Sequence, residues 1–140
     1  MESVDLAAPS ACLCFNLRKA ARAATRALDA ALKPVGLTAT QFSALAVLRA
    51  MDEASVSRLA EAMGADRTTL TRNLAVMERD GLIAYRPSRD RRERRVALTA
   101  RGRRAHERSL PLWAAFQARA VGRLGEKEAA RLLAVLGAVG

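Results

Sequence analysis

The chain has 140 residues and lacks the sequence features on which most enzymes and membrane proteins depend. No apolar run approaches the roughly 18 residues that a membrane span requires, so the sequence predicts no membrane partner. It also contains no phosphate-binding loop, no dinucleotide-binding glycine motif and no nucleophile elbow. We therefore expect neither an enzyme nor a bound cofactor.

Histidine and cysteine are equally scarce. The single histidine, His106, and the two cysteines, Cys12 and Cys14, do not have the spacing of a zinc site, so no metal is expected. His106 stands in a polar, arginine-rich stretch, which predicts a surface position. The N-terminus begins acidic and has no basic region, which argues against a secretory signal. Two cysteines in such a chain favour the reducing cytoplasm.

The charge that is present is strongly one-sided. Lysine and arginine number 24 against 14 acidic residues, which gives a formal net charge of +10. Such a surplus favours an anionic partner, most often nucleic acid and sometimes a membrane surface. A surplus that only keeps the chain soluble is the alternative. The distribution favours nucleic acid, because ten arginines and only three acidic residues lie between positions 82 and 108.

The middle of the chain has the pattern of a helix-turn-helix. Thr38 and Gln41 form a capping box for a second helix after an N-terminal one. Ser55 and Asp66 are suitable N-caps for a third and a fourth helix. Gly64 lies between these two helices and permits the sharp turn that joins them.

The fourth helix has two distinct faces. Leu70, Leu74 and Met77 are spaced at i, i+4 and i+7, which predicts a buried stripe. The outward surface of its first turns carries side chains that can contact phosphates or base edges. These candidate DNA-binding residues are Arg67, Thr68, Thr69, Thr71 and Arg72. An ordinary solvated helix face is the alternative, and the segment that follows argues against it.

That segment is typical of a β-hairpin with a basic tip. Residues 83–86 and 95–98 have the pattern of short strands, so the fold class is mainly α with a small β-hairpin wing. An arginine-dense tip repels itself unless it contacts a polyanion, and the minor groove is a natural site for it. Asp90 is expected to pair with a nearby arginine; a plain turn-former is the alternative. The candidate tip residues are Asp90, Arg91, Arg92 and Arg94.

The two ends of the chain read as long amphipathic helices. Ser10 is the expected N-cap of the first helix, which should end near Pro34. Thr99 is the expected N-cap of a helix that Pro111 should kink or interrupt. The terminal helices carry more apolar surface than the winged core can cover, which predicts a homodimer. The C-terminal apolar residues are Leu132, Leu133, Leu136 and Val139.

Over its whole length the chain resembles the MarR family of winged-helix regulators. The resemblance is carried by residues 36–48, residues 57–83 and the wing motif D-R-R-x(5)-L-T-x-x-G that begins at Asp90. It implies one domain over 1–140, with a DNA-binding core at about 36–102 and dimerisation helices at about 10–34 and 103–140. It also implies a fourth helix in the major groove of a pseudo-palindromic operator in double-stranded DNA. Arg92 would then enter the minor groove, supported by Asp90.

In this family a small ligand or an oxidant often controls DNA binding. The resemblance places a pocket for a small aromatic effector between the dimer helices and the winged core, near Phe42, Leu45 and Trp113. Cys14 lies where the hydroperoxide-sensing branch has its cysteine, although the tyrosines usual around that cysteine are missing. Structural or incidental cysteines are the alternative. Helical geometry places Cys14 nearer the apolar stripe of the first helix and Cys12 on its far side, so Cys14 should be the more buried of the two and Cys12 the more reactive toward bulky reagents.

Two functions from different classes are compatible with these sequence features. The favoured one is a dimeric, sequence-specific transcriptional regulator, with repression favoured over activation. The rival is an architectural protein that binds DNA through charge alone. A helix-turn-helix with a polar outward face favours the first, whereas the arginine content is compatible with both.

Overall fold

The computed structural model describes residues 3–90 and 92–140, and it is mainly helical with a small antiparallel sheet. The elements in chain order are α1 (Leu13–Leu32), α2 (Ala39–Met51), β1 (Glu53–Ser55), α3 (Val56–Met63), α4 (Arg67–Arg79), β2 (Ile83–Arg86), β3 (Arg95–Leu98), α5 (Ala100–Leu124) and α6 (Glu126–Leu136). The predicted fold class is therefore confirmed. Among the described residues no single helix is long and apolar enough to cross a membrane; α1 and α2 meet the criterion only as a pair bent by 76°.

The first helix begins later than the sequence predicts. A separate 3-10 turn covers Pro9–Ala11, and α1 follows with Cys12 as its N-cap residue and no side-chain cap. The expected N-cap role of Ser10 is therefore wrong: proline at the first position of the 3-10 turn initiates that turn and not the helix. The C-terminal end is close to prediction, since α1 stops at Leu32 and a 3-10 turn carries the chain through Pro34.

The predicted caps of the central helices are confirmed. The Thr38 hydroxyl accepts from the Gln41 backbone N–H at 3.2 Å, while the Gln41 side chain accepts from the Thr38 N–H at 3.1 Å. Ser55 accepts from the N–H of the third residue of α3. Gly64 has a φ of +59° and ends α3, which a residue without a β-carbon adopts at little cost. Local hydrogen bonds thus fix where these helices begin.

The wing belongs to a sheet of three strands. β2 and β3 have the predicted bounds and pair antiparallel, with Ile83 opposite Leu98. The third strand, β1, pairs with the other edge of β3, with Glu53 opposite Ala97. Sequence patterns do not predict this strand, because it has only three residues and their partners on β3 lie 40 to 44 positions away. It attaches the wing to the end of α2.

The hydrophobic core lies under the helix-turn-helix. The predicted stripe of α4 is fully buried, with Leu70, Leu74 and Met77 at most 1% exposed. It packs with Leu45 of α2 and Leu59 of α3, both with no exposed surface. Because this stripe faces inward, the opposite side of α4 faces solvent.

His106 is buried, so its predicted surface position is wrong. Its side chain is 8% exposed and stacks on Phe42 with ring centroids 5.8 Å apart. Phe42 stacks in turn on Trp113 at 6.2 Å. The arginines around His106 in sequence lie on other faces of α5, so local polarity does not report the direction in which this one side chain points.

The helix that follows the wing is not divided at Pro111. α5 is continuous through Pro111, which corrects the expected interruption, and it packs against α1 and α2. α6 starts at Glu126 and leaves apolar side chains in solvent. The exposed α6 and C-terminal residues are Leu132, Leu133, Val135, Leu136 and Val139, between 41% and 63% exposed.

Candidate nucleic-acid interface

The N-terminal end of α4 is held by a local hydrogen-bond network. The Asp66 Oδ2 atom accepts from the Thr69 backbone N–H at 3.0 Å and from the Thr69 hydroxyl at 3.2 Å. The Thr71 hydroxyl donates to the Arg67 carbonyl oxygen at 2.8 Å. Both hydroxyl protons are therefore used inside the helix, and their oxygens remain as acceptors.

The remaining candidates on α4 project into solvent. Arg67, Thr68 and Arg72 are exposed. Within residues 3–90 and 92–140 none of these three side chains has a hydrogen-bond or ion-pair partner. An arginine without an internal partner keeps all five N–H donors available for phosphates or base edges. This end of α4 therefore offers donors and acceptors to an external partner.

The wing tip is organised around Asp90. Its carboxylate accepts from the Arg92 backbone N–H at 2.9 Å, and its carbonyl oxygen accepts from the Glu93 N–H at 3.0 Å. No guanidinium among the described residues pairs with Asp90. The aspartate therefore shapes the turn that carries Arg92, as an Asx turn does. Arg91 lies outside the described residues.

The base of the wing contains anchoring contacts that sequence reasoning missed. The Arg94 guanidinium lies 4.0 Å from the centre of the Tyr85 ring, a cation–π contact across the hairpin. Arg95 pairs with Glu53 of β1 at 2.8 Å. Arg94, a predicted DNA-binding residue, is thus held against Tyr85, and Arg95 fixes the wing to the core. The predicted hairpin places Arg94 close to Tyr85, so the cation–π contact could have been predicted from the strand register. Nothing in the sequence indicated the ion pair between Arg95 and Glu53.

Contacts of Thr99 and Gly102 at the start of α5 hold the wing against the end of α4. The Thr99 hydroxyl donates to the Gly81 carbonyl oxygen and accepts from the Gly102 N–H at 3.0 Å. The Thr99 N–H donates to the Leu82 carbonyl oxygen at 3.2 Å. A β-carbon on Gly102 would collide with that same carbonyl group. The Leu-Thr-x-x-Gly part of the wing motif therefore joins three elements at one point.

The two cysteines lie at the start of α1. Both are free thiols and both are exposed, so neither side chain belongs to the core. Cys12 has non-helical backbone angles, φ −60° and ψ 113°, and only Cys14 belongs to α1. The prediction that both cysteines lie on the first helix is therefore wrong, because α1 begins at Leu13.

The predicted effector residues and the observed cavities occupy different places. Leu45 has no exposed surface, and Phe42 is buried in its aromatic stack with Trp113. A cavity of about 680 Å³ lies instead between α1, α2, the turn before α4, α4 itself and Phe116 of α5. A smaller groove of about 370 Å³ runs between α1 and α5. None of the three predicted residues lines either one.

The helix-turn-helix, the wing and the flanking helices define the winged-helix class of DNA-binding proteins. The sequence profile of the MarR family matches residues 35–93. The M. tuberculosis transcriptional regulator MosR, solved in complex with DNA, is 46% identical; the alignment covers 90% of this chain and 93% of MosR, with a TM-score of 0.81. The chain belongs to the MarR family.

Two further relatives agree with this assignment. The transcriptional repressor CouR, solved on a 23-mer DNA duplex, is 27% identical, with 99% of both chains covered and a TM-score of 0.84. YwoH of Bacillus subtilis (strain 168), an uncharacterized HTH-type transcriptional regulator, is 26% identical over 95 residues, which cover 68% of this chain and 69% of YwoH. The protein is a DNA-binding transcriptional regulator and not an enzyme.

Proposed function

We propose that the protein is a dimeric, sequence-specific repressor that binds a pseudo-palindromic operator. α4 lies in the major groove, where Arg72 and Thr68 read base edges, and Arg92 enters the minor groove. The observation that carries this proposal is the exposed, unpartnered end of α4 opposite its fully buried stripe. Two such helices in a symmetric dimer match half-sites about 10 base pairs apart.

The relatives support this proposal. MosR was solved in complex with DNA, and CouR is a repressor solved on a DNA duplex. Both alignments cover at least 90% of this chain, so they include the helices outside the winged core. A dimer is further supported by the exposed leucines of α6, whose burial on a second copy would remove apolar surface from water.

Alanine variants of two arginines test the division of roles. Arg72→Ala is expected to cost about 1–3 kcal/mol on the cognate duplex and to relax its base preference. Arg92→Ala is expected to weaken binding to all duplexes and to lower the slope of log affinity against log salt by about 1, because fewer counterions are released. Arg131→Ala, which removes an exposed arginine from α6, is the matched control and should leave both values unchanged. Fluorescence anisotropy with a labelled duplex measures both quantities.

The duplex comes from the promoter region flanking the gene, where a near-palindrome marks the operator. A scrambled duplex of the same composition discriminates the repressor from an architectural protein that reads charge alone. A specific regulator binds the operator about 10³-fold or more tightly than the scrambled duplex. Equal affinities for the two duplexes would contradict the proposal and support architectural binding.

Release from DNA by a ligand or an oxidant completes the proposed function. An effector that prefers one dimer shape would change the separation of the two α4 helices and so lower operator affinity. Exposure of Cys12 and Cys14 leaves both thiols accessible to oxidants. Operator binding is titrated with peroxide for the parent, Cys12→Ser and Cys14→Ser. Equal binding by all three before and after oxidation would exclude the thiol route and leave ligand control.

A further inference from the structure

The larger cavity connects the flanking helices with the DNA-reading end of the molecule. Its volume is about 680 Å³, and its walls come from α1, α2, the end of α3 with the turn that follows it, α4 and α5. On one side Leu28 of α1 and Phe116 of α5 face it, and on the other Asp66 and Thr69 at the start of α4. A molecule bound there would touch both the proposed dimer helices and the recognition helix.

The chemistry of the walls is apolar with neutral polar groups and a single charge. Leu28, Met63 and Phe116 contribute apolar surface. Neutral hydrogen-bonding groups come from Thr25, Thr40, Ser43, Thr69 and Asn73. Among the described residues no lysine, arginine or histidine lines the cavity, although the chain as a whole carries a net charge of +10. The cavity therefore contrasts with the basic protein around it.

The one ionisable wall residue is Asp66. Its Oδ2 atom is occupied by the backbone N–H and hydroxyl of Thr69. Its Oδ1 atom has no hydrogen-bond or ion-pair partner within the part of the chain that the structure describes. A ligand carboxylate in the cavity would meet this negative charge and no cation, whereas a ligand ammonium group would pair with it. Asp66 is exposed to solvent, so its charge gives a modest preference for a cation over an anion.

We propose that this cavity binds a small amphipathic organic cation, with an apolar body against Phe116 and Leu28 and a protonated amine on Asp66. This inference rests on the proposed function, because it names the class of effector for a ligand-controlled repressor. The amine would join the charge that caps α4, so occupancy is coupled to the position of that helix.

Three probes of one shape and different charge test the ligand class on the DNA-free protein. They are 2-naphthylmethylamine, which is a cation at neutral pH, the neutral 2-naphthylmethanol and the anionic 2-naphthoate. Isothermal titration calorimetry is expected to show the amine binding about two- to fivefold more tightly than the alcohol, the range of an exposed ion pair. Naphthoate is expected to bind more weakly than the alcohol. Tightest binding by naphthoate, or no binding by any probe, overturns the proposal.

Two variants locate the charge preference. Asp66→Asn keeps a side chain that caps helices well but removes the charge, so the amine and the alcohol should then bind equally. Ser43→Arg adds a cation to an exposed wall position and should make naphthoate the preferred probe. An amine preference that survives in Asp66→Asn would overturn the assignment to Asp66. A dimer that dissociates in Ser43→Arg would show that a second copy fills the cavity, and would also overturn it.

A titration of the operator without any probe separates this inference from the proposed function. If the parent protein binds the operator specifically but does not bind the probes in the expected order, the ligand class is wrong and the repressor proposal stands. If the parent protein does not distinguish the operator from a scrambled duplex, the proposed function fails first. Addition of the amine to the protein–operator complex, with the alcohol as control, then tests whether occupancy of the cavity lowers operator affinity.

Discussion

At the scale of single residues, Gly102 has the tightest steric surroundings of the described glycines. The first turn of α5 approaches the backbone of Leu82 so closely that no side chain fits between them. Thr99 fixes this approach through hydrogen bonds to Gly81 and Gly102. The contact positions the wing relative to the recognition helix, because Gly81 and Leu82 join the two.

Gly102→Ala is expected to destabilise the protein by about 2–4 kcal/mol, because the new methyl group displaces the Leu82 carbonyl and breaks the bond from the Thr99 N–H. Gly122→Ala is the matched control in the same helix: its β-carbon meets nothing within 4 Å, and alanine favours the helix. Urea unfolding measures both free energies. A Gly102→Ala variant as stable as Gly122→Ala would contradict the steric argument.

His106 is the second residue with a large local consequence. Burial, and then the charge of Arg49, lower the pKa of its imidazole below the ordinary value of 6.5, and Glu107 opposes this more weakly. Its Nδ1 atom is buried with no hydrogen-bond partner among the described residues. Arg49 and Glu107 form an ion pair at 3.3 Å nearby, and Phe42 covers the ring. The folded state therefore holds a neutral imidazole.

This burial predicts acid sensitivity. Because the folded pKa is lowered, the unfolded chain binds more protons than the folded chain below pH 6.5. Above that pH, His106 should therefore add no pH dependence to the free energy of unfolding. Below it, the free energy of unfolding should decrease as the pH falls. Urea unfolding at pH 7.5 and at pH values down to about 5 measures the slope. His106→Leu should remove this component, and identical slopes for the two proteins would refute it.

At the scale of elements, α5 connects the wing to the flanking helices through one unbroken length. Pro111 lies inside it, exposed to solvent, and cannot donate to the Glu107 carbonyl oxygen. The helix continues because α1 and α2 pack against it. The packing of this 25-residue helix against α1 and α2 outweighs the loss of one hydrogen bond.

Pro111→Ala is expected to raise the free energy of unfolding by about 1 kcal/mol or more, because it restores that hydrogen bond without adding a buried group. Thermal and urea unfolding of the variant and its parent check the sign. Ala115→Pro, at an exposed position one turn later, should have the opposite effect and lower stability. A loss of stability in Pro111→Ala would show that α5 is bent around the proline and needs that bend.

At the scale of the whole molecule, apolar surface is exposed at both ends of the chain. Leu13 and Phe15 of α1 are 75% and 59% exposed, and the leucines of α6 are similarly open. By contrast, the winged core buries most of its large apolar side chains. An exposed apolar surface of this extent is typical of an interface between copies.

Replacement of Leu132 and Leu133 together by serine is therefore expected to dissociate the proposed dimer at micromolar concentration. Light scattering should change from twice the chain mass of 15.1 kDa to that mass itself. Val76→Ser removes an exposed aliphatic side chain from α4 and should leave the mass of the dimer unchanged. A parent protein that is already monomeric would contradict the proposal, and operator affinity should decrease together with dimerisation.

Much of the architecture was determined by the sequence alone, because it depends on neighbours in the chain. Caps at Thr38, Ser55 and Asp66 form hydrogen bonds three residues away, and the stripe through Leu74 follows from helical periodicity. The hairpin strands follow from alternation and turn residues. The charge of the wing is a matter of composition, and together with the helix-turn-helix pattern it predicted DNA binding.

Tertiary structure decided what depends on residues far apart in sequence. The strand β1 exists because β3 lies beside it, and Arg95 meets Glu53 across 42 positions. His106 is buried because α5 turns that one side chain towards Phe42, whatever the polarity of its neighbours. The cavity beside Asp66 is formed by five segments that no local pattern relates. Local periodicity determines which elements form, whereas the packing of those elements determines which side chains meet, and this needs the three-dimensional arrangement.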